Sequence, residues 1–445
     1  MFRKFLLKFS RHCEEGDSPT KQSYDCVGDC FAATNAARND DFLFSRYFLT
    51  LFIFAFGIIA CANPNITPTQ EIVSFTSTPA PTSFPIRTPE VISIQDSPLK
   101  ESILEAGDYL MRQQLTNGEL AYQVNFINDD RAYASSDIRL MSGTGSLYTV
   151  CRISGDLTYC NSADLALTHY LENLITDEQK FKGTCFYANG GCSLGGATST
   201  IDAIYKRWQA TSKFMLEDKN LLSTAIDLGY FIVSMRKPDG GLYHSFDPHF
   251  EGGVDENYFV ATFNGESVVA LLQLYEMTQN DFWLTQAHEV NDFMLTQPVT
   301  EDHKHSYALA LFARLDTLSN KDIDYANEIT KVIIEGQVRS LNPANTSIST
   351  ATKIEALAFI AQAFYLSDVE AEFLQREIQT FITFVEARQI PNSDCNVEIA
   401  ESTVNKYRGG IFSSCEDPSI RIDGVANWIN GVSAFLEYES MIEQK

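Results

Sequence analysis

The chain has 445 residues, 44% of them hydrophobic and 20% charged, an ordinary globular balance with enough apolar mass for a real core. Its net charge is −25; residues 1–61 carry seven basic and seven acidic side chains, so the excess belongs wholly to residues 62–445. So acidic a surface excludes nucleic acid and anionic lipid headgroups as partners of the folded part.

The N-terminal stretch divides into three pieces. Residues 1–41 carry Cys13, Cys26 and Cys30 among charged and small residues with no apolar period. From Arg11 to Asp41 they resemble a translated intergenic repeat of bacterial genomes, which implies a true start near residue 41. The alternative is a long, genuine basic region ahead of a signal. Residues 42–60 contain an apolar run, 48–60, interrupted only by Thr50 and preceded by Arg46. That run is too short to span a bilayer and has the layout of a secretory signal. It ends Ile58-Ile59-Ala60-Cys61, which resembles the lipobox of bacterial lipoproteins. The resemblance implies cleavage before Cys61, acylation of its thiol and a membrane partner reached through that lipid. An uncleaved anchor helix is the other reading, and both put residues 62–445 on the extracytoplasmic face. Residues 61–97 are rich in Thr, Pro and Ser, with Pro64, Pro68 and a proline-dense run over 76–89. Proline removes backbone donors and fixes φ, so this piece is expected to be an extended tether.

From residue 98 to 445 apolar residues recur at three- and four-residue spacing. The pattern predicts helices near 99–114, 139–154, 158–175, 195–212, 218–235, 265–278, 281–296, 303–318, 322–339, 349–366, 369–389 and 424–442. Strand-like alternation is nearly absent, with one short candidate at Ile411-Phe412-Ser413. Alternate helices differ in character. The first, third and later odd ones are amphipathic, as in Lys100-Glu101 with Glu105 and Asp108. The even ones are small and apolar, as in Gly143-Thr144-Gly145 or Leu194-Gly195-Gly196-Ala197, and small residues allow close helix approach. A weak repeat follows the first, fifth and eleventh helices. It reads Arg112-Gln113-Gln114 to Gly118-Glu119-Leu120, Arg236-Lys237-Pro238 to Gly240-Gly241-Leu242, and Arg388-Gln389-Ile390 with Gly409-Gly410-Ile411 later.

Six outer–inner hairpins make an all-α (α/α)6 toroid of two concentric rings. The pattern resembles six-hairpin glycosidases, sugar epimerases and the related toroids of polysaccharide lyases and terpene cyclases, over residues 98–442. An open solenoid is the structural rival; unequal loops and small-residue inner helices favour closure. The resemblance implies a glycan or oligosaccharide partner and a hydrolase, lyase or epimerase. It is weak evidence for chemistry, because one fold hosts many functions.

Six cysteines follow Cys61: Cys151 and Cys160, Cys185 and Cys192, Cys395 and Cys415. Six thiols allow fifteen connectivities. An oxidising compartment favours disulfides and short spacing favours the local set, whereas a zinc site lacks its paired Cys-x-x-Cys spacing. Neither a metal nor a cofactor is expected. There is no phosphate-cradling glycine loop, no Gly-x-Ser-x-Gly elbow, no His-Glu-x-x-His and no Asp-rich terpene-cyclase signature.

In a closed toroid the inner helices run parallel and their N-termini, with positive partial charge, share one mouth. Five of the six expected inner starts carry ionisable groups: Asp137 and Arg139; Glu266; Asp302 and His303; Lys353 and Glu355; Arg421 and Asp423. Asp137, Asp302 and Asp423, taken singly, are each better explained as N-caps than as functional groups. Two carboxylates across a cleft can divide acid and base roles in glycosidic cleavage, and Glu266 with Asp423 is the preferred catalytic pair. His303, Tyr307 and Tyr243 suit proton transfer in a lyase or epimerase. Arg139, Lys353 and Arg421 suit acidic sugars, and Tyr243, Phe246, Phe259, Phe263 and Trp428 suit ring stacking. The long connection 240–264 leads straight to Glu266 and is expected to wall the cleft. A non-catalytic glycan- or peptide-binding toroid and an envelope scaffold are the alternatives to an enzyme.

Overall fold

A computed structural model of the protein describes Pro89 and residues 94–132, 137–188, 190–247, 253–336, 345–395 and 399–444. Cys61, the signal segment and most of the tether lie outside the described residues.

The first helix, α1 (Pro98–Arg112), shows how local chemistry sets an outer element. Ser97 caps it by accepting from the Lys100 N–H, Pro98 opens it, Glu101 lies in its first turn and Arg112 in its last. One face, with Ile103, Ala106, Tyr109 and Leu110, is buried. The succession continues with α2 (Asp137–Ser154), α3 (Leu157–Tyr170), α4 (Leu194–Thr211), α5 (Leu221–Ser234), α6 (Phe263–Thr278) and α7 (Asp281–Met294). It ends with α8 (His303–Leu315), α9 (Asn320–Glu335), α10 (Ser347–Leu366), α11 (Glu372–Glu386), α12 (Glu401–Tyr407) and α13 (Ile422–Glu443). Every helix expected from periodicity is present. The short α12 was not expected.

Helix α10 illustrates the inner type. Residues Ile354 to Ala361 are buried without interruption, so the helix has no water-facing stripe. Helices α2, α4, α6, α8, α10 and α13 pack in that order, and α13 returns to α2, so the inner ring is closed. Their starts lie side by side. Gly195 packs on the Phe263 ring, Gly265 on Asp302 and the His305 backbone, Gly424 on Ile348, and Gly143 on Ile422. Each of those pairs joins the first two turns of neighbouring inner helices. Glu301, just before α8, pairs with Lys353 in the second turn of α10, and Tyr148 meets Arg207 late in α2 and α4, so the six helices point the same way. The outer helices cover them: α3 lies on α2, α5 on α4, α7 on α6, α11 on α10, α9 on α8 and α10, and α1 on α13 and α2.

The threefold turn motif has one geometry. Gln114 bridges Leu120, Arg236 bridges Leu242 and Gln389 bridges Ile411. Gly118, Gly240 and Gly409 all have positive φ there. At Gly118 and Gly409 a Cβ would also lie 2.4 Å from the Leu165 carbonyl oxygen and 1.9 Å from that of Glu105, so glycine is required twice over.

Short strands in the loops revise the near absence of β-structure. β1 (Gln123–Asn125), β2 (Asp130–Ala132) and a later strand, β9 (Ser419–Arg421), form one sheet. β3 (Leu174–Thr176), β4 (Thr184–Ala188), β5 (Gly191–Ser193) and β8 (Ser245–Phe246) form another, and β6 (Met215–Leu216) pairs with β7 (Lys219–Asn220). Pieces this short carry no readable alternation. The candidate at Ile411–Phe412 makes isolated bridges to Gln389 and Ile420. Cysteines pair locally as Cys151–Cys160, Cys185–Cys192 and Cys395–Cys415. Three disulfides fit an oxidising, extracytoplasmic compartment. Among the described residues no helix is long and apolar enough to cross a membrane.

Candidate active site

The first turn of α6 carries Glu266 into the end of the ring where the inner helices begin. Thr262, four residues earlier, donates its hydroxyl to Oε1 at 2.9 Å, and Thr198 of α4 donates to Oε2 at 2.9 Å. Burial pushes the Glu266 carboxyl above its ordinary range, while Lys304 and the two threonines pull it partly back. Among the described residues no ion pair reaches Glu266. The other carboxylates along the axis are each tied to a cation: Asp202 to Lys206 at 2.8 Å, Glu355 to Lys304 at 2.9 Å, Glu276 to Arg314 at 2.6 Å, and Glu437 to Arg152.

Asp302 stands beside Glu266, against Gly265. Its Oδ1 caps α8, accepting from the Lys304 and His305 N–H groups at 2.9 and 3.2 Å. Its Oδ2 is buried and has no hydrogen-bond partner among the described residues. Burial dominates the two favourable N–H bonds and lifts this carboxyl to about 7. His305 points outward, its Nε2 against Asn291 Oδ1 of α7 at 2.8 Å. His303 faces the charges of Lys304, Glu355 and Lys353, and burial holds its pKa down to about 4. The two histidines therefore serve different sides of the helix, as their i, i+2 spacing requires.

Asp423 lies on α13, opposite α6 in the ring order. It is bound by Arg421, whose Nε donates to Oδ1 at 3.0 Å, and Arg139 Nε lies 3.6 Å from Oδ2. Tyr122 sits under both guanidiniums, with centroid distances of 5.7 Å to Arg139 and 5.5 Å to Arg421. Asp137 belongs to another neighbourhood. Its carboxyl is raised by burial and by Glu119, with His169 opposing, and both of these lie on the outer side of α2. Lys353 is buried and pairs with Glu301 at 2.7 Å. Tyr243 lies beneath Lys237, 5.1 Å from its centroid. Trp428 is fully buried and donates to Ser102 of α1 at 3.1 Å, so its ring is held between the two layers, with no face open to a sugar. Phe246 is buried as well and stacks edge-on with Phe181. Tyr307 and Glu355 line a cavity on the axis, reached further down the ring.

The connection before α6 supplies aromatic surface. Phe259 is 68% exposed and Tyr258 42% exposed. Phe259 stacks on His244 at 5.0 Å, and Tyr258 and His244 both contact Phe263. Tyr258 is close enough to Glu266 to feel its charge.

No protein-family model matches the chain, and no curated protein is significantly similar to it in sequence. Solved structures are similar in fold. An unsaturated glucuronyl hydrolase specific for heparin is 12% identical, with a TM-score of 0.53, over 78% of this chain and 98% of that one. An inactive variant of an alpha-1,6-mannanase of Salegentibacter sp., in complex with alpha-1,6-mannotetrose, is 12% identical at TM-score 0.55, over 77% and 100%. Cellobiose 2-epimerase from Bacillus thermoamylovorans is 11% identical at TM-score 0.55, over 76% and 98%. The chain has the six-hairpin toroid fold. At this identity the likeness speaks for the fold alone.

Within that toroid, sequence reasoning missed Thr198, Asp202, Lys206, Lys304 and Tyr258. Asp202 and Lys206 left a signal: an i, i+4 opposite-charge pair inside a helix that is otherwise mostly small or apolar. Thr198 left none, because a threonine in a helix is ordinary.

Proposed function

We propose that the protein is an exported, lipid-anchored enzyme that acts on glycans, as a hydrolase, lyase or epimerase, through a cleft where the inner helices begin. Glu266 carries this reading. It is a carboxyl raised by burial, held by two hydroxyls rather than a cation, and neighboured by exposed aromatic rings. A carboxyl so placed holds its proton more tightly than an exposed one and can give it to a leaving oxygen. Asp423, on the opposite inner helix and oriented by two guanidiniums, supports the role of the second carboxylate, which activates water or attacks the sugar. Arg139, Arg421, Lys353, His303 and Asp302 then surround the substrate path and Tyr243 borders its approach, while Glu355 and Tyr307 lie below it, on the axial cavity.

The test is a glycan-degradation screen with the full-length chain, repeated with Glu266→Gln and Asp423→Asn. Turnover should fall by about a hundredfold or more in each. Turnover untouched by both changes removes the pair from the mechanism. The exposed Tyr258 and Phe259 favour one second reading, a non-catalytic glycan-binding toroid, for which the same screen gives retention of glycan without turnover. The lipid anchor on Cys61 has its own check: Cys61→Ser should move the chain from the membrane fraction to the soluble one, and an unchanged distribution rules out acylation there.

A further inference from the structure

The axis holds a cavity of about 90 Å³ that the proposed cleft chemistry does not use. It extends from mid-ring, at Glu355, to the last turns of the inner helices, at Arg314 and Met441. Space of this size accepts several waters or one small polar molecule.

Three polar atoms on its wall have no partner among the described residues: Glu355 Oε2, Asn430 Nδ2 and Ser433 Oγ. Their residues are 1%, 6% and 3% exposed. They form one group. Asn430 and Ser433 are a turn apart on α13, and Gly431 between them packs against the Glu355 backbone N, 2.8 Å from where a Cβ would be. Each such atom left dry costs about 1–3 kcal/mol, so the group favours a polar occupant.

The surrounding charges narrow the class. Lys206 is committed to Asp202, Arg314 to Glu276, Arg152 to Glu437 and Lys304 to the other oxygen of Glu355. Among the described residues an anion finds no uncommitted cation on this wall, and a cation meets the amide donor of Asn430 beside a single carboxylate oxygen. Adjacent hydroxyl groups match instead: one donates to Glu355 Oε2, its neighbour accepts from Asn430 Nδ2, and Ser433 can do either. The stacked rings of Tyr307 and Phe359, with centroids 4.1 Å apart, add an apolar wall. We propose that this cavity binds a neutral monosaccharide at a site separate from the Glu266 cleft.

Calorimetric titration of the full-length chain with D-glucose and D-mannose, up to about 50 mM, tests this, with gluconate as the anionic control. At least one hexose should bind saturably. Ser433→Phe, which fills the cavity, and Asn430→Leu, which removes the donor without adding bulk, should each weaken binding at least about tenfold. Both variants are compared at matched thermal stability, and Glu266→Gln should leave hexose binding unchanged. No binding of either hexose overturns the proposal, and so does preference for gluconate, or binding lost in Glu266→Gln but kept in Ser433→Phe and Asn430→Leu. Failure of the cleft reading is separate: it appears as glycan turnover unaffected by Glu266→Gln.

Discussion

A carboxyl group with little water around it resists ionisation, and at Glu266 the two threonine hydroxyls partly offset that resistance. Removing one hydroxyl without changing shape should therefore let the proton stay longer. Thr198→Val is expected to move the alkaline limb of the activity–pH profile upward by about one unit, since a hydrogen bond to a charged group is worth roughly 1.5–3 kcal/mol. A limb that stays in place would show that Glu266 is not the acid. Asp302 gives a stability prediction with a defined sign. Its folded carboxyl titrates near 7 against an ordinary 3.8, so the folded state holds this proton more tightly than the unfolded chain does. The stabilisation is complete below about 4 and is lost as pH rises through 7. Asp302→Asn keeps a side-chain oxygen for the cap and has no proton to lose. The stability of wild type relative to this variant should fall by about 2–4 kcal/mol between pH 4 and 8, measured by urea unfolding at each pH. The place of Glu266 in the first turn of an inner helix was legible in the sequence, because an apolar helical run begins directly around it. The surroundings of Asp423 were not, because Arg139, which pairs with it, and Tyr122, which lies under both guanidiniums, come from distant segments brought in by ring closure and by the β1–β9 pairing.

At the scale of elements, helices were readable because inner and outer ones bury different fractions of their surface. Helix α11 shows one buried stripe, Leu374, Ile378, Phe381, Ile382 and Val385, and α10 shows none because nearly all of it is buried. The loop strands were not readable, since β6, β7 and β8 are two residues long and exist only through their partners. The turn repeat lay between these cases: its sequence echo is faint, but its backbone is shared. Gly409 marks its tightest point, where the outer helix α1 passes with the Glu105 carbonyl directly beneath. Gly409→Ala meets both a positive φ and a backbone atom that cannot swing away. It should cost more than the usual 1–2 kcal/mol for a left-handed alanine, and more than Gly240→Ala, whose nearest neighbour is the Phe293 side chain at 3.4 Å. Equal losses in thermal unfolding would mean that α1 yields at this contact.

At the scale of the whole molecule, closure separates this architecture from a superhelix of the same hairpins. In an open array the first and last inner helices would be free ends, stability would be a sum of neighbour terms, and unfolding could begin at either end. Here α13 is joined to α2 by the Ser146 hydroxyl, which reaches the Ala426 carbonyl and Asn430, and by the Arg152–Glu437 pair. The pair is mostly shielded, with side-chain exposures of 13% and 15%. Glu437→Gln keeps the volume and leaves the guanidinium without its counter-charge, a change that costs about 3–5 kcal/mol when fully buried and somewhat less at this exposure. Because the seam completes the ring, the loss should be felt by every hairpin at once. Unfolding of Glu437→Gln in urea, followed by far-ultraviolet circular dichroism and by fluorescence of Trp208, Trp283 and Trp428, should remain a single coincident transition at lower denaturant. Those tryptophans sit in α4, α7 and α13, well spread around the ring. Transitions that separate, with the α13 probe melting first, would mean that the seam is an end rather than a joint.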